Sequence, residues 1–197
     1  VRSELRGYRT HGMTRVASYV ERLRVGDFNP MPAMRHKVFP GGIVLDPCTG
    51  YGGRLVGWIA SRLGGTYVGV DPNTPTHQGN LALAQALSPD PITLINQPIE
   101  DADLSEWEGR VSFAFTSPPY FVKERYSEEP TQSFARYRTI DEWRDGFLWP
   151  LLYKCFVALM PGRVCAVNIA DVKIRNRMFP LEALTVDTVG TLLFTAM

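Results

Sequence analysis

Five short apolar runs that alternate with helical segments constrain the fold of this 197-residue chain more than any other feature. The runs occupy residues 43–45, 67–70, 92–95, 111–115 and 164–169. Each has the length and composition of a strand that is buried on both faces. Strands that alternate with helices predict a doubly wound α/β fold, with a mostly parallel sheet and helices on both of its faces. Such sheets bind ligands beyond the carboxyl ends of their strands, so the residues after each run are the first candidates for a site.

The two ends of the chain differ from this pattern. Residues 1–40 form a basic arm in which helical spacing predicts an amphipathic helix over 12–25, and residues 41–197 form the α/β domain. Residues 190–197 have the composition of a strand. A strand there would leave an exposed apolar edge, so we expect the last strand or strands of the sheet to be missing or supplied by another segment or chain.

Capping signals locate two helices. Thr74 is predicted to cap a helix whose first residue is Pro75. Thr139 and Glu142 form a capping box before another helix, which Pro150 is expected to kink. The predicted apolar face of that helix contains Trp143, Phe147, Leu151, Cys155 and Leu159.

Composition and charge narrow the class of protein. Hydrophobic residues make up 45% of the chain and charged residues 21%, and no stretch is apolar for long enough to span a membrane. The cysteines Cys48, Cys155 and Cys165 fit neither a disulfide framework nor a zinc site, so we expect a reducing cytoplasm and no bound metal. Residues 1–40 contain eight Lys/Arg and three Asp/Glu, whereas residues 41–110 contain three and eight. This asymmetry favours an anionic macromolecule and a cationic ligand as partners, although solvated faces would give the same pattern.

The ends of the first two strands carry a nucleoside-binding pattern. The first strand ends in IVLDPCTGYGGRL, in which Asp46 closes the strand and Gly50, Gly52 and Gly53 turn the chain into a helix. Glycines let the backbone approach a ligand closely, and the N–H groups of the helix terminus point at it. The second strand ends at Asp71, 19 residues after Gly52, where a carboxylate accepts hydrogen bonds from both ribose hydroxyls. Each feature alone would also fit tight packing or an ordinary turn.

The third strand indicates which nucleoside is bound. ITLINQPIED places Ile99 where it would stack on an adenine, and the carboxylates of Glu100 and Asp101 are candidates to accept from the adenine amino group. The sequence leaves open which carboxylate faces the site. The turn GYGGRL lacks the lysine of a phosphate-binding loop, and the third glycine of the dinucleotide fingerprint is replaced by Leu55. A cofactor with adenosine, a positive charge and no phosphate fits best, which favours S-adenosylmethionine.

The fourth strand ends in TSPPYF. Two prolines have no backbone N–H and keep the chain extended, so they end the strand and leave the preceding carbonyls without sheet or helix partners. We call residues 117–120 the diproline corner. Ser117 and Pro118 offer acceptors, and Pro119 stiffens the backbone. Tyr120 offers a ring on which a flat substrate can stack. Acceptors that draw the hydrogens of a nucleobase amino group out of the ring plane restore the nitrogen lone pair for attack on a methyl sulfonium. Tyr120 or Phe121 would also attract the sulfonium, by about 0.5–2 kcal/mol.

Three motifs together point to a known family. DPCTGYGG, VGVDPN and TSPPYF, in this order and spacing, resemble the S-adenosylmethionine-dependent amino-methyltransferases of DNA, which form N6-methyladenine or N4-methylcytosine. The resemblance covers residues 42–171 and implies a class I methyltransferase fold. The positions that it places at the cofactor are Asp46, Gly50, Gly52 and Asp71, and those that it places at the target base are Ser117, Pro118, Pro119 and Tyr120. Cys48 lies in the same glycine turn (residues 46–53), which we call the cofactor turn, and is also a candidate cofactor contact. Cys48 and Pro98 depart from the family pattern, in which Phe and a small or acidic residue are common at these positions.

The resemblance also implies a partner. The family acts on double-stranded DNA, so a base would have to be flipped out, and stacking on Tyr120 would recover about 1–3 kcal/mol of the unstacking energy. Ser117 favours the N4 group of cytosine slightly over the N6 group of adenine. The candidates for DNA contact are Arg2, Arg6, Arg9, Arg15, Arg22, Arg24, the loop 123–138, Lys173, Arg175 and Arg177. General phosphate contact is the simplest role for most of them, and a homodimer or a partner subunit is another source of target recognition.

Other functions fit part of the pattern. RNA and protein-glutamine methyltransferases use related motifs, and a catalytically silent DNA-binding subunit would also carry a basic arm. Cytosine C5 methylation requires a cysteine nucleophile after a proline. Pro47 and Cys48 match that dipeptide, but they lie in the cofactor turn rather than beside the predicted base site.

Overall fold

A five-stranded parallel sheet forms the centre of the protein. The structure is a computed structural model that describes residues 40–195, with side chains through residue 192. The strands are β1 (Ile43–Asp46), β2 (Thr66–Val70), β3 (Ile92–Ile95), β4 (Val111–Thr116) and β5 (Leu159–Val167). Their order is β3-β2-β1-β4-β5, and every neighbouring pair is parallel. The predicted α/β sheet and its five strands are confirmed, whereas the predicted arm helix over 12–25 lies outside the described residues.

Helices and a hairpin complete the described fold. The helices are α1 (Gly53–Ser61), α2 (Thr74–Leu87), α3 (Ser133–Arg136), α4 (Ile140–Trp143), α5 (Trp149–Ala158) and α6 (Leu181–Thr195). A 3-10 turn (Ser105–Trp107) precedes β4, and a π-helical segment (Arg144–Leu148) joins α4 to α5. The strands β6 (Val172–Ile174) and β7 (Arg177–Phe179) form an antiparallel hairpin after β5.

Two buried clusters cover the faces of the sheet. Successive strand residues point to opposite sides, so Val44 packs with Trp58 of α1 and Leu45 belongs to the cluster that contains Leu151 of α5. All six residues of β4 are buried. The strand order reverses between β1 and β4, and in such sheets this is the point at which ligands bind.

The predicted capping box is present, and Pro150 follows a π-helical segment. Thr139 and Glu142 cap each other's backbone N–H groups at the start of α4. Pro150 is near the start of α5, directly after the π-helical segment, in which the Trp149 N–H donates to the Arg144 carbonyl five residues earlier. A proline lacks an N–H and its ring clashes with the preceding turn, and the wider π turn accommodates both effects. The helix α5 ends at Ala158, and Leu159 begins β5. The prediction that Leu159 belongs to the apolar face of the helix is therefore wrong, and Cys155 is the last predicted residue on that face.

The start of α2 differs from the prediction by one residue. Asn73, rather than Thr74, is the N-cap, and its side-chain oxygen accepts from the Thr76 N–H at 3.3 Å. Pro75 is consequently the second helical residue. The Thr74 N–H instead donates to Glu129 at 3.1 Å, so the first orphan donor of this helix is satisfied by a distant loop.

The predicted strand at 190–197 is wrong, because the described part of this segment continues α6. Threonine favours strands, but the hydroxyls of Thr185 and Thr188 each donate to the carbonyl four residues earlier at 2.7 Å, which satisfies them within a helix. Leu181, Thr185, Thr188 and Leu192 are buried at helical spacing. Packing of this face therefore overrides the local preference for a strand.

The connection between α1 and β2 gives a test of the packing. A Cβ at Gly65, where φ is +105°, would overlap the carbonyl oxygen of Gly42, whereas a Cβ at Gly64 (φ +68°) meets nothing within 4 Å. We expect Gly65→Ala to lower the free energy of unfolding in urea by more than about 3 kcal/mol. The matched Gly64→Ala change costs only the left-handed backbone strain, about 1–2 kcal/mol. Equal losses for the two variants would contradict this account of the turn.

Candidate active site

The carboxyl ends of four strands meet in one cavity of about 240 Å³. It lies beyond β1, β2, β3 and β4, where the topology predicts a ligand site. The cavity is lined by seven of the residues that the sequence singled out: Cys48, Gly50, Asp71, Ile99, Glu100, Ser117 and Pro119. The other five, which do not line it, are Asp46, Gly52, Asp101, Pro118 and Tyr120. The cofactor turn and the diproline corner therefore share one cavity.

Asp46 lies beneath the glycine turn rather than in the cavity. Its side chain is 1% exposed, and Oδ2 accepts from Arg54 Nε at 2.7 Å and from the Tyr67 hydroxyl at 2.6 Å. Arg54 also donates to the Cys48 carbonyl. Burial alone would lower the pKa of the Arg54 guanidinium, but Asp46 beside it raises that pKa above its ordinary value. The ion pair and the Tyr67 hydroxyl join β1, β2 and α1, a role that the strand-end pattern did not reveal.

The glycine turn is fixed by polar contacts from two directions. The Gly50 N–H donates to Asp71 Oδ2 at 2.8 Å, and the Gly50 carbonyl accepts from Asn80 Nδ2 at 2.8 Å. Gly52 has φ +81°, and a Cβ there would overlap the Asn80 side chain. Gly52 therefore gives the turn its shape without reaching the cavity, and Asn80 of α2 is a supporting residue that the sequence motifs did not indicate.

Asp71 binds two backbone N–H groups and still has lone pairs that can accept from a ligand. Its Oδ1 accepts from the Asn73 N–H at 2.9 Å, while Oδ2 holds the Gly50 N–H. Burial raises the pKa of this carboxyl, and the two backbone donors oppose that rise. Each carboxylate oxygen has a further lone pair, so both can accept from ribose hydroxyls.

The structure distinguishes the two acidic residues that follow β3. Glu100 has a side chain that is 6% exposed and lines the cavity, and its Oε1 accepts from the Tyr137 hydroxyl at 3.0 Å. Asp101 is 51% exposed and pairs with Arg136 outside the cavity at 2.6 Å. Burial raises the pKa of Glu100, and the Arg136 side chain lowers that of Asp101. Of the two carboxyls, only that of Glu100 lines the cavity.

The diproline corner is braced by neighbouring side chains. Ser117 Oγ accepts from Asn168 Nδ2 at 3.2 Å, and the Tyr120 N–H donates to Glu124 Oε2 at 3.0 Å. The Tyr120 hydroxyl is 3.5 Å from the Asn168 carbonyl, and Pro118 is buried beneath the corner. Ser117 and Pro119 consequently face the cavity, while Tyr120 lies beside it.

Cys48 lines the cavity as a partly buried thiol. Its pKa is raised strongly by burial, so the thiol stays protonated at neutral pH. A thiolate is the nucleophilic form of cysteine. The site therefore disfavours the C5 methylation chemistry that the Pro47–Cys48 dipeptide left open.

The loop after the corner brings residues to the cavity that sequence reasoning missed. Thr131, Gln132 and Ser133 line its wall, and Thr131 Oγ1 and Gln132 Nε2 are buried without a partner among the described residues. Polar residues in a loop give no periodic signal. In the sequence, residues 129–132 (Glu–Pro–Thr–Gln) have the composition of an ordinary solvated turn.

The predicted DNA contacts within the described residues fall into two groups. Arg136 is held by Asp101 and Glu100, and Arg125 stacks on the Phe134 ring at 5.1 Å. The hairpin β6–β7 instead exposes Lys173, Arg175 and Arg177. The predicted arginines of the arm lie outside the described residues.

The fold is shared with solved methyltransferases. A SAM-dependent methyltransferase from Aquifex aeolicus matches over 86% of this chain and 79% of its own, with a TM-score of 0.54 and 17% identity. A SAM-dependent O-methyltransferase from Thermotoga maritima matches over 87% of this chain and 51% of its own, with a TM-score of 0.54 and 14% identity. The chain has the Rossmann-like α/β fold of the class I methyltransferases.

Other matches are longer proteins. A geranyl diphosphate C-methyltransferase from Streptomyces coelicolor matches over 68% of this chain, which spans 40% of its length, with a TM-score of 0.47 and 15% identity. No protein-family model and no curated protein sequence matches the chain. Within residues 40–195, no helix is long and apolar enough to cross a membrane. The same residues contain no group of three His, Cys, Asp or Glu side chains that could hold a metal ion.

The Asp46–Arg54 pair gives a test of what supports the site. We expect Arg54→Met to lower the free energy of unfolding by about 3–5 kcal/mol, because it leaves the buried Asp46 carboxylate without its counter-ion. Arg62→Met is the control, since Arg62 is exposed at the end of the same helix and should change stability by less than about 0.5 kcal/mol. Urea titration measures both. Similar stability for the two variants would show that Asp46 does not depend on Arg54.

Proposed function

We propose that this chain transfers a methyl group from S-adenosylmethionine to the exocyclic amino group of a base in DNA, forming N4-methylcytosine or N6-methyladenine. The observation that carries the proposal is one cavity lined by Gly50 and Asp71 together with Ser117 and Pro119. Gly50 and Asp71 belong to the nucleoside-binding pattern. Ser117 and Pro119 belong to the diproline corner, whose acceptors suit an amino group. Methyl transfer requires these two kinds of site to lie side by side.

The cavity fits the cofactor in its polar chemistry. Glu100 Oε2, Thr131 Oγ1 and Gln132 Nε2 are buried without a partner among the described residues, and all three residues line the cavity. A buried polar atom without a hydrogen bond costs about 1–3 kcal/mol, so these atoms favour a ligand with donors and acceptors of its own. The carboxyls of Asp71 and Glu100 suit a cation. The methyltransferases that share the fold support the same cofactor.

In this proposal, the residues of the chain position the cofactor and the base relative to each other. S-adenosylmethionine supplies an electrophilic methyl group. In the proposed reaction the amino nitrogen of the base would attack the methyl carbon as the S–C bond breaks to leave S-adenosylhomocysteine, and the nitrogen would lose one proton to solvent. Asn168 holds the Ser117 hydroxyl through a 3.2 Å hydrogen bond, which leaves a Ser117 lone pair to accept from the amino group. Tyr120, beside the corner, offers a ring for stacking of the flipped base.

The basic hairpin supports DNA as the substrate. Its residues Lys173, Arg175 and Arg177 are exposed, and Arg175 and Asn176 have positive φ at the tight turn. The Phe179 ring packs on the ring of Phe121, directly after the corner, with centroids 5.3 Å apart. The hairpin is therefore anchored beside the predicted base site, where its cations would contact phosphates.

Methyl transfer to duplex DNA is the direct test. We expect labelled methyl groups from S-adenosylmethionine to appear in DNA, and mass spectrometry of the digested nucleosides to identify N4-methylcytosine or N6-methyladenine. Ser117→Ala should lower kcat by about 10²-fold or more, because one preorganised acceptor is lost. Its affinity for S-adenosylmethionine should stay unchanged. Asp71→Ala should instead abolish measurable cofactor binding in a calorimetric titration.

The same assay separates the alternatives. Transfer to RNA or to a protein glutamine, with none to DNA, would replace the proposed substrate. Cofactor binding without transfer to any of the three would favour a silent subunit. Wild-type turnover by Tyr120→Ala would show that the base does not stack on this ring.

The hairpin gives an independent prediction about DNA binding. We expect the triple change Lys173→Ala, Arg175→Ala and Arg177→Ala to weaken binding of all duplex sequences and to reduce the slope of log K against log salt by about 2–3. Cofactor affinity should be unaffected. Arg62→Ala is the control, because α1 carries Arg62 away from the carboxyl ends of the strands. An unchanged slope in the triple variant would exclude the hairpin from the DNA interface.

A further inference from the structure

The segment of residues 129–137, which we call the strap, extends along the cavity and is bound at both ends. At one end Glu129 accepts from the Thr74 N–H at 3.1 Å, next to the ribose-binding pattern of β2. At the other end the Tyr137 hydroxyl donates to Glu100 Oε1 at 3.0 Å, beyond β3. Arg136 adds an ion pair with Glu100 at 3.2 Å. The strap thus connects the ends of two neighbouring strands.

Gln132 is the most deeply buried side chain of the strap that lines the cavity, with 6% of its surface exposed. Its backbone is satisfied, because its N–H donates to the Glu129 carbonyl at 3.1 Å and its own carbonyl accepts from the Ala135 and Arg136 N–H groups. Its side-chain Nε2, by contrast, is buried with no acceptor among the described residues. An unmatched amide donor at this depth is costly, which points to an acceptor on a ligand.

A complementary atom comes from Glu100 in the same cavity. Its Oε1 is occupied by Tyr137 and Arg136, whereas its Oε2 is buried and has no donor among the described residues. Gln132 is the N-cap of α3, which ends at Arg136, so the residue with the free amide and a residue that binds Glu100 lie at the two ends of one short helix. The cavity therefore presents one acceptor and one donor on neighbouring elements.

The backbone groups that follow Glu100 are engaged elsewhere, because the N–H groups of Asp101 and Ala102 both donate to the Pro98 carbonyl at 3.0 Å. The N–H of Glu100 itself interacts with its own carboxylate and lowers the pKa of that group, against the effect of burial. A ligand that needs a donor beside the Glu100 carboxyl would find it in the Gln132 amide. This makes the strap part of the binding site and not only a cover for it.

We propose that Gln132 recognises the adenine of the cofactor, donating Nε2–H to a ring nitrogen beside the exocyclic amino group, whose hydrogen Glu100 Oε2 accepts. This inference rests on the proposed cofactor. Adenine presents an amino donor and a ring-nitrogen acceptor side by side, which matches the acceptor and donor of the cavity. The strand order places Glu100, and with it the proposed contact with Gln132, on the side of the cofactor and not on the side of the target base. With about 4.8 Å between strands, the end of β3 lies roughly 14 Å from the corner on β4.

A ligand with the reversed hydrogen-bonding pattern tests the proposal. S-inosylhomocysteine differs from S-adenosylhomocysteine by a carbonyl in place of the amino group and an N–H in place of the ring acceptor. It would set donor against donor at Gln132 and acceptor against acceptor at Glu100. Calorimetry on the wild-type chain should show a preference of about 100-fold for S-adenosylhomocysteine.

Gln132→Met should reduce that preference to about 10-fold or less, because it removes one favourable bond to adenine and one repulsive contact with hypoxanthine. Gln132→Glu, which replaces the donor by an acceptor, should reduce it further. Gln85→Met is the matched control, since Gln85 is exposed on α2, and it should keep the wild-type preference. A purely structural role would weaken both ligands equally and leave the ratio unchanged.

The outcomes separate this inference from the proposed function. A wild-type chain that binds S-adenosylhomocysteine, together with Gln132 variants that keep the full preference, would overturn the role of Gln132 alone. A wild-type chain that binds neither ligand would overturn both. Circular dichroism checks that each variant is folded, and if Gln132→Met is unfolded, the ratio measured for Gln132→Glu decides.

Discussion

The buried ion pair of Asp46 and Arg54 is the contact on which the site depends. Asp46 closes β1, Arg54 belongs to α1, and Tyr67 of β2 donates to the same carboxylate oxygen. A buried pair adds little net stability, because desolvation of two charges offsets most of their attraction, but it tolerates only one geometry. Arg54 also binds the carbonyl of Cys48 within the turn. Two strands, a helix and the turn are thereby fixed relative to one another, and the Gly50 N–H is held where it meets Asp71.

The sheet could be predicted because its central strands β1, β2 and β4 are almost wholly buried, whereas the edge strands β3 and β5 have exposed residues and are not buried on both faces as their apolar runs predicted. Apolar runs of three to six residues allow few other structures in an α/β pattern, and β4 has no exposed residue at all. The C-terminal helix could not be predicted in this way. Residues 190–195 favour a strand when taken alone, but they continue a helix in which buried Leu181 and Leu192 lie on one face and the threonine hydroxyls bond to their own backbone. A window restricted to 190–197 omits the first turns of that helix.

The site was predictable in its motifs but not in the division of roles within them. Strand-end reasoning found Asp46 and Asp71 alike, yet the structure directs one carboxylate to a buried arginine and the other to the cavity. Glu100 and Asp101 differ in the same way, and only the positions of Tyr137 and Arg136 separate them. Arg54 and Asn80 were missed because their partners, Asp46 and Gly50, are 8 and 30 residues away in the sequence. The spacing of a motif indicates which backbone segments lie near a site. It does not indicate which of their side chains point into the site and which point away from it.

The loop between the corner and α4 links the two halves of the proposed reaction. It begins at Ser117, where the target amino group would be held, and it reaches Tyr137, which binds Glu100. Between these ends, Glu124 accepts the Tyr120 N–H and Glu129 accepts the Thr74 N–H, so the loop is bound to the corner and to the start of α2. A ligand that satisfies the buried polar atoms of the strap would stabilise this loop in the described position. The same position keeps Ser117 and Pro119 at the cavity, so occupation of the nucleoside side would preorganise the side that receives the base.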